Sequence, residues 1–239
     1  MHILERVEAY VQEVKQTPYV YKIQKLGIEI FKYYITSYSL DIREEDFHKE
    51  LLDKLVLIWL PRNKKYLSEA EVYQIIYTIH DIFNYIQTTL TKGHQGMQEE
   101  QEESTILQLY GEEYMRIYKA RNLLQRITKD PIISVDPIVV DLDKYRYKKE
   151  KKSYGEIATT YEQAFFEVQE CKEGGQVVFN KLGRTKQYKL LLEYPAYKYL
   201  RKGDILHATI KRKLFYVYWE LEEIKAYYLP QAIELLSLS

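Results

Sequence analysis

The residue types that carry most protein chemistry are sparse here: five histidines, one cysteine and nine glycines in 239 residues. The glycines never assemble as G-x-G-x-x-G or G-x-x-x-x-G-K-S/T, so the commonest phosphate-cradling loops are missing. No H-E-x-x-H helix and no G-x-S-x-G elbow occurs. Glu44, Glu45, Asp46 and His48 form the one close grouping of carboxylates with an imidazole. Asp46 and His48 stand two apart on an expected helix and point to different faces, which fits a solvated, dipole-favoured helix start better than a metal site. Cys171 lies beside an expected hairpin turn with no base nearby in sequence, and reads as an inert strand-end thiol. The expectation is a non-enzymatic protein with no catalytic residues, no cofactor and no metal.

Two stretches have the composition of a nucleic-acid contact. The first runs from Lys144 to Tyr154, where Lys144, Arg146, Lys148, Lys149, Lys151 and Lys152 are interleaved with Tyr145, Tyr147 and Tyr154 and opposed by Glu150 alone. Cations neutralise phosphates and release counterions, and rings stack on unpaired bases. A lysine-rich solvated connector between strands would have the same composition, and both readings stand. The second stretch is the last expected hairpin. In a strand from Leu214 to Leu221, Phe215, Val217, Trp219 and Leu221 share the core face, leaving Tyr216 and Tyr218 outward. In its partner, Leu206, Ala208 and Ile210 face in while His207, Thr209 and Lys211 face out. Tyr216 and Tyr218 with His207, Lys211 and Lys213 would then form a ringed, basic platform of the kind used by sheet-based single-strand binders. Packing of those tyrosines beneath a helix is the structural alternative.

These stretches need elements to hold them. Ile3, Val7, Tyr10, Val11 and Val14 recur at helical spacing up to Thr17-Pro18, since a residue before proline avoids the α region. A second helix carries Ile23, Leu26, Ile30, Phe31, Tyr34 and Tyr38 on one stripe. Asp41 with Glu44 opens a third, with Phe47, Leu51, Leu55 and Ile58, expected to stop at Pro61. Ser68 with Glu71 is a capping box for a fourth, with Val72, Ile75, Ile76, Ile79, Phe83 and Ile86 facing in. After an aperiodic stretch from Thr91 to Ser104, Leu107, Tyr110, Tyr114, Ile117, Leu124 and Ile127 resume helical spacing until Asp130-Pro131. From Ile132 the pattern becomes strand-like. Ile138–Val140 is one candidate strand. Lys172-Glu173-Gly174-Gly175 is a hairpin turn between Ala164–Glu170 and Gln176–Phe179. Asn180-Lys181-Leu182-Gly183 and Lys202-Gly203-Asp204 turn the chain into Lys186–Leu192 and Ile205–Ile210. A short helix over Pro230–Leu238 ends it.

The expected fold class is α+β, an N-terminal helical bundle over residues 1–131 followed by a small antiparallel β-barrel or curled sheet with a short C-terminal helix over 132–239. The 35 basic and 35 acidic side chains balance, with a slight acidic excess in the helical half and a slight basic excess in the β half. Such a balance opposes strong non-specific polyanion binding yet permits a local basic patch. One cysteine excludes an intramolecular disulfide and fits a cytoplasmic interior. The longest apolar run, Leu55–Leu60, is far short of the roughly 20 residues that span a bilayer, and Glu5 and Glu8 interrupt any leader-like stretch. No membrane partner is expected. Against 7 phenylalanines stand 25 tyrosines, residues that suit wet interfaces and core edges alike.

Residues 66–76, Tyr-Leu-Ser-Glu-Ala-Glu-Val-Tyr-Gln-Ile-Ile, lead through His80-Asp81-Ile82-Phe83-Asn84-Tyr85-Ile86. With the helices around them, over residues 4–91, they resemble the SAM-like core-binding domain of tyrosine recombinases, a four-helix unit that clasps duplex DNA. The resemblance implies a binding module at most. Catalysis in that family needs a histidine with arginine three residues on, and here the five histidines are followed at that spacing by Glu5, Leu51, Phe83, Met97 and Ile210. Two partner classes stay open for the whole chain: single-stranded nucleic acid at the β domain, or a protein partner or second copy meeting tyrosine-rich surfaces.

Overall fold

A computed structural model describes residues 3–38, 47, 49–64, 67–91, 105–129 and 159–237. The fold is α+β, with helices in the N-terminal part and then a five-stranded antiparallel sheet. The chain divides into two compact units, Met1–Lys119 with Tyr228–Ser239, and Ala120–Tyr227.

In the first unit, α1 (Ile3–Lys15) ends at the Thr17-Pro18 break and α2 (Pro18–Tyr38) starts on the proline, whose fixed φ and missing N–H suit a first helical position. The helix α1 buries Ile3, Val7, Tyr10 and Val11 as their spacing requires. The buried stripe of α2 is wider than expected: Ile30, Phe31 and Tyr34 are buried as their spacing requires and Gln24, Gly27, Ile28 and Ile35 join them, while Ile23 and Leu26 are only partly covered. The cause is the approach of α5 (Glu69–Thr91). A β-carbon on Gly27 would sit 2.4 Å from Thr78 Cβ, so this glycine sets how closely the two helices pack. The capping box that opens α5 is reciprocal, with the Ser68 N–H bonding Glu71 at 2.8 Å and the Glu71 N–H bonding Ser68 Oγ at 3.3 Å.

Pro61 does not stop the third helical stretch. It runs as α3 (Lys49–Asp53), a π-helical segment (Lys54–Trp59) and α4 (Leu60–Asn63) without interruption. The π segment hydrogen-bonds five residues back, and its last bond joins the Leu60 N–H to the Leu55 carbonyl. Residue 61 would next donate to Val56, and proline cannot. The buried Tyr114 hydroxyl donates to that carbonyl instead, and Tyr118 reaches the Leu60 carbonyl at 3.3 Å. Both tyrosines come from α6 (Thr105–Lys129). Leu55–Leu60 are all buried, as a segment apolar on every side must be. The last residues, including α7 (Ile233–Ser237), pack in this unit, where the Arg62 Nε–H donates to the Tyr228 hydroxyl at 3.1 Å.

In the second unit the strands are β1 (Thr159–Cys171), β2 (Gln176–Lys181), β3 (Gln187–Leu191), β4 (Ile205–Lys213) and β5 (Glu220–Tyr228), in the order β3-β2-β1-β4-β5. The hairpin at Gly174-Gly175 forms with φ of 87° and 85°, angles that glycine adopts without steric cost. A bulge between Val168 and Glu170 bends β1, which pairs with β2 along residues 166–171 on one edge and with β4 along residues 159–167 on the other. The sheet is curled and does not close into a barrel, because its end strands β3 and β5 do not pair; only Trp219, just before β5, bridges β3 at Leu190 in parallel, with the Trp219 N–H 2.8 Å from the Lys189 carbonyl. Phe166, Phe179, Tyr188, Leu206, Ile210 and Trp219 fill its inner face. Buried Arg121, on the part of α6 in this unit, donates to the Lys225 carbonyl at 2.6 Å. The candidate strand Ile138–Val140 lies outside the described residues.

Candidate functional site

Alternation along β4 places Leu206, Ala208 and Ile210 inward and leaves His207, Thr209 and Lys211 on the outer face. Opposite them in register stand Phe165, Gln163 and Tyr161 of β1. The His207 and Phe165 rings stack at 4.5 Å, so the imidazole is half covered. Lys211 is occupied: its ammonium bonds Glu222 at 2.5 Å and lies 3.9 Å from Glu220. The hydrogen bond to Glu222 raises its pKa, which fixes the charge in place. Tyr161 beside it is 60% exposed. The outer face therefore offers rings, while β5 acids neutralise its cation.

The final hairpin departs from its expected register. The charged Arg212 and Lys213 complete β4, and β5 begins only at Glu220. Residues 214–219 form the connection, where the Tyr216 N–H bonds the Lys213 carbonyl at 3.1 Å. Tyr216 and Tyr218 thus lie on a strand-connecting tip, not on a strand face. Phe215 and Val217, expected in the core, are 93% and 72% exposed, and only Trp219 is buried. The physical reason is length: β4 uses its charged end to pair with Thr159–Tyr161 of β1, which pushes the apolar run into the turn.

The outcome is five consecutive exposed apolar or aromatic residues, Leu214 to Tyr218, rooted on two cations. The Arg212 guanidinium lies 4.9 Å from the Trp219 ring and the Lys213 ammonium 5.7 Å from the Tyr216 ring. Neither pairs with a carboxylate among the described residues. Both distances are within cation–π range. Of the residues singled out from sequence, Tyr216, Tyr218 and Lys213 come together here, while His207 and Lys211 sit on the outer sheet face. Lys144, Arg146, Lys148, Lys149, Lys151 and Lys152 lie outside the described residues. Sequence reasoning missed Arg212, Phe215 and Tyr161 as surface groups. Leu214 to Trp219 is apolar at both parities, a pattern that a half-buried strand does not show.

A second concavity lies in the helical unit, a groove of about 440 Å³ lined by residues that include Tyr10, Glu13, Asp81 and Tyr85. Its polar groups bond one another. The Tyr10 hydroxyl donates to Asp81 Oδ2 at 2.6 Å, and the Gln24 amide donates to the same oxygen at 2.9 Å. Burial, then Asp81, pushes the Tyr10 hydroxyl far up, so it stays protonated. This triad ties α1, α2 and α5 together. Cys171 turns its sulfur toward the Leu200 carbonyl, 3.7 Å away. Although Cys171 is exposed as a residue, partial desolvation of its sulfur, then Asp204 and Glu170 nearby, pushes its pKa up to about 11.

Among the described residues no three metal-ligating side chains come together, and no described helix is long and apolar enough to cross a membrane. Compared with known proteins, the chain matches no family model, no curated protein and no solved structure.

Proposed function

We propose that this is a non-enzymatic binding protein whose β unit takes single-stranded nucleic acid at the β4–β5 connection. The observation that carries the reading is the exposed run from Leu214 to Tyr218 on Arg212 and Lys213, two cations without carboxylate partners among the described residues. Single-strand binders combine cations that track the backbone with rings on which bases stack. Contiguous exposed apolar surface of this kind marks a contact site. The sheet adds support. A five-stranded curl in which β1 pairs with both β2 and β4, and β3 bridges the residue before β5 in parallel, is of the small curled kind whose β4–β5 loop holds oligonucleotides in Greek-key binding domains. The basic stretch at 144–152 joins the reading on its composition alone.

The test is fluorescence anisotropy of labelled single- and double-stranded oligonucleotides at low salt. Single strands should bind more tightly, since stacking needs unpaired bases. Alanine at Tyr216 and Tyr218 should cost about 1–3 kcal/mol for each stacked base. Arg212→Gln and Lys213→Gln should each lower the salt slope by about 0.7 for every phosphate that the variant no longer neutralises. No binding to any oligonucleotide at about 10 μM protein, where even non-specific complexes form, would discard the reading in favour of a protein partner at the same tip.

A further inference from the structure

We infer that Phe215 is the anchor of this interface, a ring held out into solvent by an unfavourable backbone conformation and so preorganised to take the face of one unpaired base. The inference rests on the nucleic-acid reading above and adds to it a residue whose alternation in sequence points to the core.

Two observations meet at this residue. Phe215 has φ of 72°, and among the described residues every other positive φ belongs to a glycine: Gly174, Gly175, Gly183 and Gly203. At those four positions the chain uses the residue that turns at least cost. With a side chain the left-handed conformation crowds Cβ against the following carbonyl, and bulky residues adopt it rarely. The ring recovers nothing from packing, being 93% exposed. Phe215 thus opposes stability of the free protein on both counts, which is the pattern of strain kept at contact sites. A turn alone would be better served by glycine.

The surroundings say what the ring meets. Arg212 and Lys213 at the base of the tip present positive charge, so the occupant is anionic. Tyr216 and Tyr218, 55% and 40% exposed, follow Phe215 along the tip with further rings, so the occupant offers flat faces. Unpaired nucleotides have both properties. An anionic lipid surface has the charge without the flat faces, and serves as the contrasting occupant in the test.

The experiment compares wild type with Phe215→Ala, Phe215→Tyr and Phe215→Gly in the full chain. Binding is read with a labelled single-stranded oligonucleotide of about a dozen nucleotides, in the length range that single-strand sites cover. Phe215→Ala should weaken it roughly 5- to 100-fold, and Phe215→Tyr should stay within about twofold. Since glycine alone relieves the backbone, Phe215→Gly should melt about 2–4 °C above Phe215→Ala while binding as weakly. If wild type binds and Phe215→Ala binds equally well, the anchor is overturned and the nucleic-acid reading survives. If Phe215→Gly melts no higher than Phe215→Ala, the preorganisation is overturned. If wild type ignores oligonucleotides but sediments with phosphatidylserine-containing vesicles, both readings fall and the tip belongs to lipid.

Discussion

Removing one oxygen should expose how the helical unit accommodates Pro61. Tyr114→Phe takes away the hydroxyl that donates to the Val56 carbonyl and leaves the ring, so no cavity of consequence forms. Val56 is 1% exposed and its neighbours Leu55 and Leu57 are 0% and 4% exposed, so water cannot replace the donor. A buried carbonyl left without a partner costs about 1–3 kcal/mol. In a chain of this length that lowers the melting temperature by roughly 2–4 °C per kcal/mol. The diagnostic variant is Pro61→Ala. It restores the N–H that the five-residue register aims at Val56, so in that background Tyr114→Phe should cost less, by a coupling of about 1 kcal/mol.

The assay is a double-mutant cycle by urea denaturation. Trp59 lies at the end of the π segment, and with Trp219→Phe it becomes the sole indole of the chain, so its fluorescence reports the helical unit. Strict additivity of Tyr114→Phe and Pro61→Ala, within about 0.3 kcal/mol, would show that the tyrosine and the proline do not share a carbonyl. A cost below about 0.5 kcal/mol for Tyr114→Phe alone would show that the carbonyl finds another donor.

Three further outcomes follow from the packing and electrostatics. Gly27→Ala would place Cβ 2.4 Å from Thr78 Cβ and should destabilise the helical unit by about 1–3 kcal/mol, and an unchanged urea midpoint would mean that α2 and α5 separate freely. Burial opposes the charge of Glu162, but the Tyr188 hydroxyl nearby and bonds from Lys181 and Lys186 at 3.0 and 3.3 Å outweigh it and hold its pKa at about 2, below the ordinary 4.5. A depressed folded pKa supplies stability above pH 4.5 that is lost as pH falls toward 2, so Glu162→Gln should flatten the acid limb of the β unit's unfolding curve, and an unaltered limb refutes the network. With its pKa raised by desolvation and by Asp204 and Glu170, Cys171 should alkylate at neutral pH more slowly than a free thiol although the residue is exposed, whereas reaction at the free rate would show that these neighbours do not act on the sulfur.

Features legible in the sequence were local. The Ser68–Glu71 cap and the Gly174-Gly175 and Gly183 turns each depend on a few adjacent residues and formed where their chemistry put them. What escaped depended on partners far along the chain. Gln24 is polar and buried because Tyr10 and Asp81 meet it from other helices. Pro61 stops a helix in isolation, yet here a hydroxyl 53 positions later answers the carbonyl it strands. At the tip, alternation favoured a strand from Leu214, and the register of β4 with β1 decided otherwise.

The tyrosine excess follows from the same contrast between ring and hydroxyl. Tyr34, Tyr114, Tyr118, Tyr188, Tyr227 and Tyr228 are among the largest fully buried side chains, positions that phenylalanine would fill equally well by volume. Their hydroxyls distinguish them. Tyr34, Tyr114 and Tyr118 donate to the carbonyls of Leu51, Val56 and Leu60 along one irregular helical run, and Tyr227 donates to buried Asp204 at 2.6 Å. The Leu60 carbonyl also takes the Lys64 N–H at 2.9 Å, so its tyrosine bond is a second one; the Val56 carbonyl, which Pro61 cannot serve, takes its donor from Tyr114 without loss of apolar area. The exposed tyrosines Tyr161, Tyr216 and Tyr218 use the other half of the residue, an open ring face, with Lys211 near Tyr161 and Lys213 over Tyr216. The folded positions of the rings therefore separate two uses of the residue, buried hydroxyls that reach a carbonyl or carboxylate and ring faces left open at the surface.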